Sequence, residues 1–192
     1  MPISNLSNGL RTGVCTSTNR PTTPYEGQVI YETDTDKVFV WNASAWKQVP
    51  TAATAGAVLQ VVASSYNTEL ISATSTYATT GLTASITPQY NTSKILVLAT
   101  IVGAGKDSSD TTLGLKLFRG ATEISFFESR AGHTNSAGSS FIGSCSTYIL
   151  DAPATTSATT YTVQYASVAN TSRVIIQQNN TRSTMILQEI SA

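Results

Sequence analysis

The sequence has few of the residues on which catalysis and metal binding depend. Its 192 residues include one histidine, His133, and two cysteines, Cys15 and Cys145. A serine hydrolase needs a base for the hydroxyl proton, most often histidine, and a zinc site needs three or four converging ligands. His133 lies in a polar, loop-like stretch, and one histidine with two distant cysteines cannot supply a zinc site. We therefore expect no catalytic residue, no metal site and no cofactor. The two thiols lie far apart in the chain and are expected to be unpaired.

Charged residues are also scarce, which limits the partners. They make up 11% of the chain, against roughly 25% in typical soluble domains, and eleven basic residues balance eleven acidic ones. No group of Lys and Arg would collect phosphates, so no nucleic-acid partner is expected. No apolar run approaches the ~20 residues that span a bilayer, and the first ten residues lack the pattern of a secretion signal. We therefore expect neither membrane insertion nor export.

Acidic residues form two short groups that favour turns over ion binding. Asp34 and Asp36 occur in TDTDK, and Asp107 and Asp110 occur in GKDSSD. Neither group has the spacing of a calcium loop with its terminal glutamate, whereas Asp is a common turn residue. Eleven acidic residues would allow a glycosidase pair by number alone, but no pair is singled out.

What the sequence has in abundance is small hydroxyl residues, 31 Thr and 24 Ser, among short apolar segments. Thr and Val favour a pleated sheet, and Leu113, Leu115 and Leu117 follow the period of two that is typical of strands. KILVLATIV is apolar at successive positions, as expected for a central strand. Ten strands are predicted after Gly56, near 58–63, 69–73, 83–87, 94–102, 112–119, 123–128, 140–150, 159–166, 173–178 and 184–190. The pattern predicts an all-β fold, an antiparallel β-sandwich of the jelly-roll kind.

Composition divides the chain into three parts. Residues 1–50 are predicted to contain an irregular arm and a small three-stranded β-meander, with strands near 28–33, 38–41 and 46–49. Residues 51–56 read as a linker, and residues 57–192 form the sandwich. The alanines around residues 52–57 are also compatible with a helical turn, but the valines that follow favour a strand.

Five large aromatic side chains lie close together in the meander. They are Tyr25, Tyr31, Phe39, Trp41 and Trp46. A segment of about 25 residues is below the ~40 residues that usually fold alone without a metal, disulfide or oligomerisation. We therefore predict that other copies of the chain, or a larger assembly, cover these rings.

The meander also resembles a known module. RPTTPYEGQVIYETDTDKVFVWNASAWKQV is similar to a segment of tailed-bacteriophage virion proteins with the pattern P-x-x-G-Q-x-I-Y-x-T-D-T followed by W-N-G-S-A-W. Ala43 replaces the commoner glycine, so a different type of turn is expected there. The matching residues are Pro24, Gly27, Gln28, Ile30, Tyr31, Thr33, Asp34, Thr35, Trp41, Asn42, Ser44, Ala45 and Trp46.

The rest of the chain resembles a β-sandwich domain of such proteins. The segments that carry this likeness are GLTASITP, SKILVLATI, LKLFRGATEI, YILDAPATTSATTYTVQY and MILQEISA. The resemblance implies a non-enzymatic virion protein, assembled in the cytoplasm of the bacterial host and homotrimeric, with other virion proteins as partners. It implies a short fibre or receptor-binding knob on tail, neck or head, docked through its N-terminal part. The alternatives are a capsid decoration or cement protein and, least favoured, a virion-borne carbohydrate-active enzyme.

Two polar loops of the sandwich are candidates for binding a host-surface glycan, VGAGKDSSD and RAGHTNSAGSS. Loops at the ends of a sandwich often carry binding residues. The candidates in these two loops are Lys106, Asp107, Arg130, His133 and Asn135.

Overall fold

A computed structural model describes residues 12–49, 54–135 and 140–192, with Ser140 as backbone only. The chain divides into two compact units, Met1–Ala53 and Thr54–Ala192, called here the N-terminal and C-terminal units. Residues 1–11 of the predicted arm and 51–53 of the predicted linker lie outside the described residues. No helix in the described ranges is long and apolar enough to cross a bilayer.

The N-terminal unit is a four-stranded sheet in the order β1-β2-β3-β4. Its strands are β1 (Gly13–Cys15), β2 (Val29–Glu32), β3 (Lys37–Trp41) and β4 (Trp46–Gln48). The three predicted strands are confirmed as the antiparallel part. Strand β1 was not predicted, and it pairs in parallel with β2, Gly13 opposite Ile30. A three-residue strand shows no periodicity, so only its pairing reveals it.

Side chains of the resembling motif close the turns of this sheet. Asp34 accepts hydrogen bonds from the Ser17 N–H at 2.9 Å and from the Ser17 hydroxyl. Asn42 Oδ1 accepts the N–H groups of Ser44 and Ala45 at 3.2 and 2.9 Å. Ala43 has φ 70, the left-handed region that favours glycine. The alanine therefore adopts a backbone conformation that suits glycine, and the expected change of turn type stays a prediction.

The described part of the C-terminal unit contains ten strands and one 3₁₀ turn. They are β5 (Val58–Tyr66), β6 (Leu70–Ser72), β7 (Ala78–Ile86), β8 (Lys94–Lys106), β9 (Leu113–Arg119), β10 (Thr122–Ala131), β11 (Ser140–Asp151), β12 (Thr159–Ser167), β13 (Val174–Ile176), η1 (Gln178–Asn180) and β14 (Ser183–Ile190). All ten predicted strands are present. The strand predicted over 173–178 ends early because Gln177 turns into the left-handed region, with φ 51.

The eight long strands form two antiparallel sheets with jelly-roll connections. One sheet has the order β5-β14-β8-β11, and the other has β10-β9-β12-β7. Counted along the chain, the first sheet holds the first, eighth, third and sixth long strands, and the second holds the fifth, fourth, seventh and second. This interleaving is that of a two-sheet jelly roll. The short strands β6 and β13 pair with each other beside the end of β8. The predicted fold class is confirmed.

The core lies between the two sheets. Leu115 and Val163 come from one sheet, Val97 and Met185 from the other, and all four are fully buried in one cluster. Cys145 belongs to the same cluster, and burial raises the pKa of its thiol to about 11. Both cysteines are free, as expected. Alternate residues of each strand thus fill the interior, as the period of two predicts.

Part of the predicted linker is bound to the end of the C-terminal unit. The Gly56 N–H donates to the Ser191 carbonyl at 2.8 Å, and the Ser191 hydroxyl donates to the Thr54 carbonyl. Residues 54–56 are therefore held against the last residues of the chain.

Candidate functional site

Three connections meet at one end of the jelly roll and hold one another in place. They join β8 to β9, β10 to β11 and β12 to β13. The Asp110 N–H donates to the Thr134 carbonyl at 2.8 Å, and the Val168 N–H donates to the Thr112 carbonyl at 3.0 Å. Backbone hydrogen bonds thus position loops that are distant in sequence.

A cleft of about 390 Å³ opens between these connections. Its lining combines an aromatic ring, charged groups and small polar groups, a mixture typical of ligand sites. The lining residues are Asp110, Thr112, Phe126, Ser129, Arg130, His133, Val168, Ala169 and Asn170.

One wall of the cleft carries opposite charges. His133 Nε2 lies 3.7 Å from Asp110 Oδ1, and both side chains are largely exposed. This distance is too long for a hydrogen bond, so Asp110 does not fix the imidazole as the carboxylate of a catalytic triad does. Arg130 lines the same cleft. The lining can therefore present the Arg130 cation and the Asp110 anion to a polar ligand.

Asn170, another lining residue, is held firmly by its hydrogen bonds. Its Oδ1 accepts the Thr111 hydroxyl at 2.9 Å and the Ser172 N–H at 3.1 Å, while its Nδ2 donates to the Ser109 carbonyl at 2.7 Å. Since Thr111 is fully buried, Asn170 links the β8–β9 and β12–β13 connections from within. Its main role in the described structure is to brace the cleft.

The aromatic wall is Phe126, whose ring stays half exposed at 50%. Tyr77 meets it edge to face, with ring centroids 6.3 Å apart. Lys116 Nζ lies 4.5 Å from the centre of the Tyr77 ring and 5.1 Å from that of Phe126, and donates to Glu123 at 2.7 Å. The Glu123 hydrogen bond raises the pKa of Lys116. The edge-to-face contact with Tyr77 and the Lys116 cation orient the Phe126 ring, and they leave part of the ring accessible.

The structure separates the five predicted ligand-loop residues. Arg130 and His133 line the cleft. Asn135 is exposed in the His133 loop and is not part of the lining. Lys106 is a correction, because it is buried and its Nζ donates to the Thr134 carbonyl at 3.1 Å. It braces a loop because strand β8 extends to Lys106, further than predicted. Asp107 pairs with Arg173 at 2.9 Å and stays a prediction.

Sequence reasoning missed Phe126 and Asn170 as lining residues. A signal for Phe126 was present, because Phe126 and Phe127 are adjacent in a strand and must face opposite sides. Asn170 gave no such signal, since its partners lie about sixty residues away. Within the described ranges no group of three or more His, Cys, Asp or Glu could hold a metal ion.

The N-terminal unit covers its aromatic residues unequally. Phe39 is buried and lies under the Arg20 guanidinium, 4.5 Å from the ring centre. Arg20 also pairs with the buried Glu32, and its hydrogen bond holds the pKa of that carboxyl below the usual range. Phe39 is thus shielded within one chain and offers no contact surface, which corrects its place among the docking candidates.

The other four aromatic candidates keep accessible surface. Tyr25 is 71% exposed. Trp41 and Trp46 are half-buried against each other, with ring centroids 5.5 Å apart and planes at 60°. The half-buried Tyr31 donates its hydroxyl to Asp36 at 2.6 Å, and this hydrogen bond raises the Tyr31 pKa. These four residues remain available for contacts outside the unit.

Comparison with known proteins gives likenesses of shape only. No protein-family model matches the chain, and no curated protein matches it. A structure of the infectious bursal disease virus Gt strain has a TM-score of 0.36 and 10% identity, covering 79% of this chain and 42% of that chain. The crystal structure of the infectious bursal disease virus VP2 subviral particle has a TM-score of 0.35 and 10% identity, covering 90% and 46%. This chain spans less than half of both, and its jelly-roll assignment rests on its own strand order.

Proposed function

We propose that this chain is a non-enzymatic structural protein of a tailed-bacteriophage virion. Its N-terminal unit docks on the particle, and its jelly roll faces outward as a short trimeric fibre or receptor-binding knob. The observation that carries the proposal is the fit between the motif that resembles the phage module and the N-terminal sheet. Gly27 adopts φ 82, Asn42 closes a turn through its side chain, and Asp34 bonds Ser17 in the segment after β1. The motif residues thus specify one small sheet, beyond a shared composition.

The architecture of the C-terminal unit is compatible with this role. Jelly rolls occur in viral capsid domains and in lectin domains. Function drawn from a fold is an analogy, so the fold adds support to the motif and does not replace it.

The loop-end cleft supports a carbohydrate as the ligand on the host surface. A sugar ring offers an apolar face that packs on an aromatic ring, and hydroxyl groups that bond with charged and polar side chains. Phe126 supplies the exposed ring, and Arg130, His133 and Asp110 supply donors and an acceptor. A cleft with a few polar groups around an apolar wall is the usual form of a small-ligand site.

Immunoelectron microscopy of virions with antibody to this chain tests the virion role. We expect label on the particle, at the tail, the neck or isolated head positions. Label spread evenly over the head would favour a decoration protein that stabilises the capsid. Virions that carry no label, in a preparation where the antibody binds the purified chain, would contradict the proposal.

Binding of the purified protein to host cells and to a glycan array tests the cleft. The double variant Phe126→Ser, Arg130→Ala should lose at least about tenfold in affinity, since it removes the ring and the cation together. Arg182→Ala is the matched control, because Arg182 is exposed and lies outside the cleft. Equal binding by the double variant and the wild type would remove the cleft from the proposal without affecting the virion role.

A further inference from the structure

The two outer faces of the jelly roll differ sharply in chemistry. On the β10-β9-β12-β7 sheet, outward hydroxyls pair across strands, Thr83 with Thr162 at 3.1 Å and Ser85 with Thr160 at 2.7 Å. A face with such hydroxyl groups is readily hydrated. On the β5-β14-β8-β11 sheet, Thr100 and Ser146 form one outward hydroxyl pair at 3.0 Å, but the next two outward rows are mostly apolar, and we call these two rows the apolar face.

Strand register defines the apolar face. One row across four strands joins Tyr148, Leu98, Ile186 and Ala63, and the next row joins Leu150, Leu96, Gln188 and Val61. None of these residues is charged. In β8 the inward neighbours Val97 and Ala99 fill the core, so the apolar residues between them are not needed to hold the two sheets together.

The exposed area is large for a free surface. Six apolar side chains of this sheet are exposed by between 38% and 82%: Val58, Val61, Leu98, Tyr148, Leu150 and Ile186. Together they leave on the order of 500 Å² open, near the upper end of the largest patch on a typical monomer. That area would form the apolar centre of a standard interface of about 800 Å² per partner, with outward Ser and Thr at its rim.

We propose that other copies of this chain cover the apolar face in the trimer. The two rows carry no charge to meet a charged partner, so these rows of two copies do not repel each other. Lys94 lies beyond them in the row of Val58, and Arg182 borders Ile186. Homo-oligomer interfaces are also the most apolar class. Strand β5, at the edge of the sheet, has no Lys, Glu or Pro in its nine residues, whereas edges that must stay free usually carry such residues. The inference rests on the proposed function only in that copies of the chain associate.

Native mass spectrometry of the full-length protein tests the inference. The wild type should show three times the 20.2 kDa chain mass. Tyr148→Lys places a charge at an 82% exposed position, so the single chain should fold normally. A lysine buried without a partner in the interface should weaken association by about 100-fold or more. Ser85→Lys, an outward strand position on the hydroxyl-rich face, is the matched control and should keep the wild-type mass.

The possible masses distinguish a failure of the inference from a failure of the proposed function. A monomeric wild type would overturn the inference and the trimer of the proposed function, while leaving the virion role to the microscopy. A trimeric Tyr148→Lys would overturn the inference alone, and Leu150→Lys repeats that test at a second exposed position. Circular dichroism showing wild-type strand content in the variants ensures that a lost trimer reflects the interface and not misfolding.

Discussion

Glu189 of β14 is a buried carboxylate on which several hydrogen-bond donors converge. It is fully buried, and it accepts Gln60 Nε2 at 2.6 Å, the Gln89 N–H at 2.7 Å and the Tyr90 N–H at 3.4 Å. Gln60 Nε2 also donates to the Thr87 carbonyl at 2.7 Å. The carboxylate therefore ties the segment after β7 to strands β5 and β14.

Replacing Glu189 with Gln should destabilise the C-terminal unit although the two side chains have nearly the same shape. The Gln amide group has one acceptor oxygen, so its NH₂ must face either the Gln60 NH₂ or the backbone N–H groups. One buried donor then loses its partner and a charge-assisted bond is lost, which costs about 1–3 kcal/mol. For a unit of this size the loss corresponds to a fall in Tm of roughly 3–10 °C.

The effect should depend on pH in a defined direction. Burial raises the pKa of Glu189, but the hydrogen bonds from Gln60, from the Ser93 side chain and from the Gln89 and Tyr90 N–H groups outweigh it and leave the pKa lowered. A lowered folded-state pKa stabilises the protein above the unfolded value of about 4.3, and this contribution is lost as pH falls through the folded-state pKa. The difference between wild type and Glu189→Gln should therefore be full at pH 7 and shrink below about pH 4.

Thermal unfolding followed by circular dichroism between pH 3 and 7 measures both effects. Glu123→Gln is the control, because Glu123 is an exposed member of a surface ion pair with Lys116, and its loss should cost under about 1 kcal/mol. Equal Tm values for wild type and Glu189→Gln at pH 7 would refute the argument. So would a difference that grows as the pH falls.

Three further substitutions have defined outcomes. Ala43→Gly should raise stability by about 0.5–1 kcal/mol, because relief of the left-handed strain exceeds the entropy cost of glycine; an unchanged or lower denaturant midpoint would argue against strain. Tyr161→Phe should cost about 1 kcal/mol in urea unfolding, since Asp151 loses the 2.7 Å tyrosine bond but keeps Arg119; a loss above 3 kcal/mol would mean a wider collapse. Trp41→Ala removes the Trp46 contact and should impair incorporation into particles while the jelly-roll Tm stays unchanged; normal incorporation would contradict N-terminal docking.

The strands were predictable because their signal is local. Leu113, Leu115 and Leu117 alternate with polar or small residues, and all three face the core as the alternation requires. Turn chemistry was equally local at Asn42, whose side chain bonds Ser44 and Ala45, whereas Asp34 bonds Ser17 from 17 positions away. The sheet to which each strand belongs was not predictable, because strands β5 and β14 pair across more than 110 residues.

The candidate site was predicted in part for the same reason. Arg130 and His133 stand out as charged residues in a long polar loop, and both line the cleft. Lys106 stood out equally, but its strand continues far enough to bury the side chain. Phe126 and Asn170 line the cleft only because the chain crosses between the two sheets. A crossover produces no local sequence pattern at the residues that it brings together.

The order of residues alone was enough for an all-β chain, its strand positions and its polar turns, because each depends on neighbours a few positions away. The tertiary structure decided that Phe39 is shielded by Arg20, that three distant loops enclose a cleft, and that one outer sheet face is left apolar. These features depend on which surfaces remain after the two sheets have packed, and packing joins residues that the chain keeps far apart.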